Sequence, residues 1–179
     1  MSKGLIISGF AGIGKTTLAQ NYPSVIDLES SDFKWIYSDE ATEGMDKEQR
    51  KGTTQRTQNP LWPLNYVKEI ITQSQTHDIV LISQDKDMRD CLRENDCEYY
   101  ACFPTKECKE DFIHRYIARG NPQAFISLVT INFDNWVDAL ESEDKKIIMQ
   151  PGEFLEDTLI RYGLINPTLK NNDNAKKHS

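Results

Sequence analysis

Leu5-Ile6-Ile7-Ser8-Gly9-Phe10-Ala11-Gly12-Ile13-Gly14-Lys15-Thr16-Thr17 decides the fold. Leu5 to Ile7 read as a short buried strand, the three glycines as a loop, and residues 15–22 as a helix that Pro23 stops. Residues 9–16 satisfy GxxxxGK[ST] at every position. Gly9, Gly12 and Gly14, with Ile13 between the last two, let the backbone turn its amide hydrogens inward around phosphate oxygens. The start of the helix adds its positive dipole end. Lys15 is then expected to reach the β- and γ-phosphates, Thr16 to ligate Mg²⁺ and Thr17 to touch the α-phosphate, so ATP and Mg²⁺ are the expected cofactors. A glycine-rich turn without a ligand is the alternative, and the strand before and helix after argue against it.

Outward from the loop, apolar runs at residues 25–28, 79–82, 99–103 and 147–149 predict four more strands. Helical spacing separates them. Leu64, Val67 and Ile71 share one face; Met88, Cys91 and Leu92 another; residues 105–119 and 123–140 form two further helices, and the last runs through Leu155, Leu159 and Ile160 to Gly163. Five strands alternating with helices predict a three-layer α/β fold with a parallel sheet covered on both faces. Residues 38–59 hold only Ala41 and Met45 as apolar members, so they are read as a polar insertion, either solvated or a flap over substrate. We expect one domain over residues 1–165 and a polar, disordered tail over 166–179.

The chain has 179 residues with a formal charge of −7, which disfavours extended contact with a phosphate backbone. No stretch approaches the ~20 apolar residues needed to span a bilayer, so no membrane partner and a cytoplasmic location are expected. Cys91, Cys97, Cys102 and Cys108 lack CxxC spacing and read as reduced structural thiols rather than zinc ligands. His77 and His114 read as surface residues.

Open parallel sheets bind ligands beyond the carboxyl ends of their strands, so Asp27 and Glu29, alternate residues at the end of the second strand, are candidates to accept a proton or hold Mg²⁺ through water. Capping a strand end is their alternative role. Arg115 and Arg119, four apart and so separated by about 40° around a helix axis, form a two-pronged cation able to neutralise a phosphoryl group in transfer. Solvated arginines at a helix end would look the same. Trp62 and Phe33 read as packing more readily than as base-stacking residues. There is no NKxD or DxxG pattern of a GTPase, and the third strand ends Ile82-Ser83-Gln84 before reaching Asp85, so a strand-end acid of a simple ATPase is missing.

The loop, the Asp27-to-Ser31 segment and Arg115-xxx-Arg119-Gly120-Asn121 together resemble the adenylate kinase-like group of P-loop kinases, and more narrowly small nucleotide kinases encoded by phages and prophages. The resemblance covers residues 3–162 and implies a P-loop NTPase fold of strand order 2-3-1-4-5. It also implies an acceptor-binding insertion at residues 33–71 and a helical lid at 105–121 carrying Arg115 and Arg119. It departs from that group in having no DGFPR-like acceptor signature after the third strand; Ser83-Gln84-Asp85 with Arg89 is a loose substitute. The activity implied is Mg·ATP-dependent transfer of the γ-phosphoryl group to a small acceptor, a (deoxy)nucleoside monophosphate. Alternatives are a kinase acting on a nucleic-acid end or modified base, served by Lys47, Arg50, Lys51 and Arg56, and a non-catalytic ATP-dependent switch. Oligomeric state is left open by the sequence.

Overall fold

The computed structural model describes residues 4–37, 44 and 56–171. Its main sheet consists of β1 (Leu5–Gly9), β2 (Val25–Asp27), β5 (Ile79–Ile82), β6 (Tyr100–Pro104) and β7 (Lys146–Met149). Every pairing is parallel and the order is β2-β5-β1-β6-β7, the 2-3-1-4-5 order of the sequence-based expectation. β1 lies at the centre, with Ile7 opposite Leu81 on one side and Tyr100 on the other.

Successive strand residues face opposite ways, and the two cores follow that alternation. Ile7 and Leu81 join one apolar cluster, which also takes Leu18 from α1 (Lys15–Asn21) and Phe112 and Tyr116 from α5 (Lys109–Ala118). Phe133 and Val137 of α6 (Gln123–Glu141) and Leu155 and Leu159 of α7 (Leu155–Arg161) complete that cluster. Ile6, Val80 and Ile82 join the other, under Tyr66 and Ile70 of α3 (Leu64–Gln73) and Met88 and Leu92 of α4 (Lys86–Glu94). A sheet buried on both faces needs the continuous apolar runs seen at β1 and β5.

The register of α3 differs from the sequence expectation. Tyr66, Val67 and Ile70 are buried, whereas Leu64 is 45% exposed. Tyr66 wins the inward position because its hydroxyl donates to the Leu28 carbonyl and accepts from the Ser83 amide, tying the ends of β2 and β5 together. Burial pushes its phenol pKa well above the ordinary value. Sequence reading also missed a second sheet: α2 (Ser31–Lys34) leads into β3 (Trp35–Tyr37), which pairs antiparallel with β4 (Arg56–Gln58). Of the expected polar insertion at residues 38–59, residues 38–43 and 45–55 lie outside the described residues, as does the end of the expected tail, 172–179.

No described helix is long and apolar enough to cross a membrane. All four cysteines are free, three of them buried.

Candidate active site

The glycine loop leaves β1 at the carboxyl edge of the sheet. Phe10 is fully buried, with its ring against the edges of Phe112, Phe133 and Trp136, and its amide donates to the Cys102 carbonyl. From that root the chain turns through left-handed conformations at Gly12 (φ +82°) and Gly14 (φ +99°), which residues with a side chain rarely adopt. The loop's carbonyls are held from outside: the Tyr116 hydroxyl donates to Ala11 at 2.7 Å, and the Leu155 amide donates to Ile13 at 2.8 Å. Its amides are left over. None of the N–H groups of residues 11–17 has a hydrogen-bond partner among the described residues. Backbone donors converging without acceptors form an anion cradle, and a run of this length suits a polyphosphate.

Lys15 folds back under this loop, its ammonium donating to the Gly9 carbonyl at 3.1 Å. Burial lowers its pKa; the charges of Asp27 and Glu29 and the Cys102 thiol oppose that shift, and Arg119 adds to it. These named influences place Asp27, Glu29 and Arg119 within electrostatic reach of the lysine. The Cys102 thiol behind Lys15 is itself pushed up to about 12 by burial.

Thr16 donates its hydroxyl to Asp27 at 2.8 Å, and Ser31 donates to Glu29 at 3.0 Å. Thr17 is exposed beside Thr16 at the start of α1. Mg²⁺ takes hard oxygen ligands, commonly one or two carboxylates with the remaining positions filled by phosphate and water, so Thr16 and Asp27 fit it as a pair. Among the described residues no cluster of three or more His, Cys, Asp or Glu forms a self-sufficient metal site. A magnesium held jointly with a bound nucleotide requires none.

The two arginines of α5 part company. Arg115 is an internal strut: its side chain is 9% exposed, its Nη2 donates to Asp111 and to the Glu153 carbonyl at 2.7 Å each, and its guanidinium lies between the Phe112 and Phe154 rings at 4.5 and 4.0 Å. Its Nε and Nη1 are buried without a partner. Glu153 is in turn gripped by Arg161, which holds its carboxyl below the usual range. Arg119 caps the end of α5, is exposed, and has no ion pair among the described residues. Sequence spacing put both arginines on one functional edge; Phe154, brought in by β7 and α7, draws Arg115 into the wall.

Beside the loop opens a cavity of about 560 Å³ lined by Gly9, Ala11 and Lys15, by Ser83 to Lys86 and Arg89, and by Trp136, Ala139 and Leu140 of α6. Asp85 enters it despite standing past the strand end: Ser83 donates to one of its oxygens at 2.9 Å and Lys34 to the other at 2.6 Å. Lys34 and Trp136 are the residues here that motif reading passed over: Trp136 lines the cavity and Lys34 reaches it through Asp85, both brought in from elements distant in sequence. Trp62 stacks on Tyr66 and is 7% exposed, so it packs, as does Phe33 on the same tyrosine. A second cavity, of about 390 Å³, lies by Arg93, Tyr99 and Glu143 and adjoins the Arg89–Glu143 ion pair that fastens α4 to the end of α6. It does not touch the loop.

The central glycine loop, the sheet order and the helices over the loop end define a P-loop NTPase-like α/β protein with an architecture compatible with nucleotide binding and phosphoryl transfer. Compared with protein-family models and with curated proteins, the chain matches none.

Proposed function

We propose that this chain is an ATP-dependent phosphotransferase that moves the γ-phosphoryl group to a small acceptor, a (deoxy)nucleoside monophosphate, and belongs with the adenylate kinase-like P-loop kinases. The observation that carries the reading is the run of unpartnered amides at residues 11–17 ending on Lys15 and on the Thr16–Asp27 contact, beside an open cavity. A loop built only to hydrolyse ATP needs no second chamber there. In this reading Gly9, Gly12, Ile13, Gly14, Lys15, Thr16 and Thr17 hold the triphosphate. Thr16 and Asp27 would hold Mg²⁺, which would supply charge neutralisation for the phosphates when bound. Glu29, near Lys15 and held by Ser31, is the base for the acceptor. Arg119 is the mobile cation for the moving phosphoryl group, from a lid spanning residues 105–121. Arg115 serves that lid by fixing its helix to the segment carrying Phe154.

An ADP-release assay over nucleotides and nucleosides tests the proposal, with Lys15→Ala as control. Acceptor-dependent turnover that the substitution abolishes is expected; none across the panel removes the reading.

A second reading, transfer to a nucleic-acid end, has one observation in its favour. Arg56 lies 4.1 Å over Trp35, and Lys34 sits between the Trp35 and Trp62 rings while pairing with Asp85 at the cavity. Alternating cations and rings suit single strands. Labelled phosphate on oligonucleotide but not on mononucleotide would favour it.

A further inference from the structure

We propose that the cavity beside Lys15 is a subsite for the planar heterocycle of the acceptor, bounded by Trp136 and read by Gln84 and Arg89; the assignment rests on the phosphotransferase reading above.

Two buried polar atoms in its lining have no partner: the Gln84 side-chain carbonyl oxygen and the Arg89 Nε. Arg89 is only 7% exposed and cannot reach bulk water freely. Its Nη1 is held by Glu143, whose side chain is 9% exposed, so the guanidinium is fixed in place with Nε unspent. Buried polar groups in folded chains are nearly always hydrogen-bonded, so a donor and an acceptor left open in one chamber suit a ligand with a polar edge. One is a donor and the other an acceptor. A nucleobase edge carries a ring nitrogen or carbonyl next to an N–H, which satisfies both at once.

The opposite wall has the complementary character. Trp136, Ala139 and Leu140, at i, i+3 and i+4, share one face of α6 and present an aromatic ring followed by aliphatic groups. The Trp136 ring is anchored edge-on to Phe10, 6.2 Å between centroids, so it is fixed relative to the root of the glycine loop. A volume of about 560 Å³ lies within the ordinary range of small-molecule sites. A flat ring stacked on one wall and hydrogen-bonded at its edge fits such a chamber.

The ring belongs to the acceptor and not to ATP. The cavity meets the loop at Gly9, Ala11 and Lys15, the end expected at the γ-phosphate, and Thr16 and Thr17 are not part of its lining. This differs from the implication of the family resemblance, which puts the acceptor on residues 33–71; none of those lines the chamber.

The test uses the full chain saturated with Mg²⁺ and a non-hydrolysable ATP analogue. Nucleoside monophosphates and ribose 5-phosphate are titrated by calorimetry and tryptophan fluorescence. Base-bearing ligands should bind about tenfold or more tightly than ribose 5-phosphate and change the fluorescence, and Gln84→Leu should remove about tenfold of that affinity. Trp136→Phe, which keeps a ring in the wall, should abolish the fluorescence change, since Trp35 and Trp62 do not line the chamber. Equal binding of ribose 5-phosphate, no binding of either, or a change that survives in Trp136→Phe overturns the subsite. Turnover separates it from the parent reading. Unchanged KM in Gln84→Leu and Trp136→Phe, with an active wild type, removes the subsite and leaves the phosphotransferase. Base-dependent binding with no acceptor-dependent ADP release does the reverse.

Discussion

Gly12→Ala should destabilise the protein by about 2–5 kcal/mol, through two terms that can be measured separately. The first is conformational: at φ +82° an alanine pays roughly 1–2 kcal/mol that glycine does not. The second is steric. A Cβ on Gly12 would lie 2.5 Å from the Tyr116 Cε1, about 1 Å inside ordinary contact, and Tyr116 is fully buried with its ring edge-on to Phe112 and Phe125. A ring held on two sides cannot step back, so the loop must shift or the core must, which costs about 1–3 kcal/mol. Urea unfolding of Gly12→Ala, Tyr116→Leu and the double variant forms the cycle. Leucine removes the clashing ring carbon, so in that background Gly12→Ala should cost only the conformational 1–2 kcal/mol. The coupling should therefore be about 1–3 kcal/mol. An equal cost of Gly12→Ala in both backgrounds would refute the close approach of α5 to the loop, and a cost below about 0.5 kcal/mol would refute both terms.

Five further outcomes are expected. Lys15 has a lowered pKa through burial, so its charged form is penalised by folding wherever both states are protonated; stability without nucleotide should rise with pH toward 10.5, and Lys15→Met should raise the melting temperature at neutral pH while abolishing nucleotide binding. For the same reason the wild type's ATP affinity should fall, with proton uptake detectable by calorimetry in buffers of different ionisation heat, at a pH below the ordinary lysine range. Asp27→Asn should raise the half-saturating Mg²⁺ concentration about 10- to 100-fold while Thr16 keeps a hydrogen-bond partner, read as a Mg²⁺ titration of nucleotide binding. Arg119→Ala should cut kcat by about a thousandfold and leave stability within about 0.5 kcal/mol. Arg115→Ala should instead cost about 2 kcal/mol of stability, measured by urea unfolding, because it empties the space between two rings and frees the Glu153 carbonyl.

Where a residue's chemistry and its sequence neighbours act together, the sequence was sufficient. The stretch from Leu5 to Asn21 folds as one contiguous strand, loop and helix, and Ile79 to Ile82 are buried because helices cover both faces of their strand, so pattern and structure agree. Where a side chain's partner comes from a distant element, pattern misled. Arg115, four residues before Arg119, reads with it as a two-pronged cation or as a solvated pair at a helix end, yet Phe154 closes over it and leaves it only 9% exposed. Leu64 lost the inward face of α3 to Tyr66 because a tyrosine can fill the core and satisfy two backbone groups at once. The β3–β4 ribbon escaped because Trp35, Ile36 and Tyr37 make a strand too short to register without its partner.

The way the loop is tethered explains how its amides stay available as donors. A free loop would satisfy its amides by bending them onto its own carbonyls, and a glycine-rich chain has the freedom to do so. Here the carbonyls of Ala11 and Ile13 are already committed, one to Tyr116 of α5 and the other to the first residue of α7, and Gly9 accepts Lys15. Collapse would have to break contacts to two separate helices before it made any new one. The amides thus stay outward and unspent, and binding a phosphate need not first reorganise them, which favours affinity. The same tethers put the loop's shape under the control of α5 and α7, the elements that carry Arg119 and adjoin Phe154.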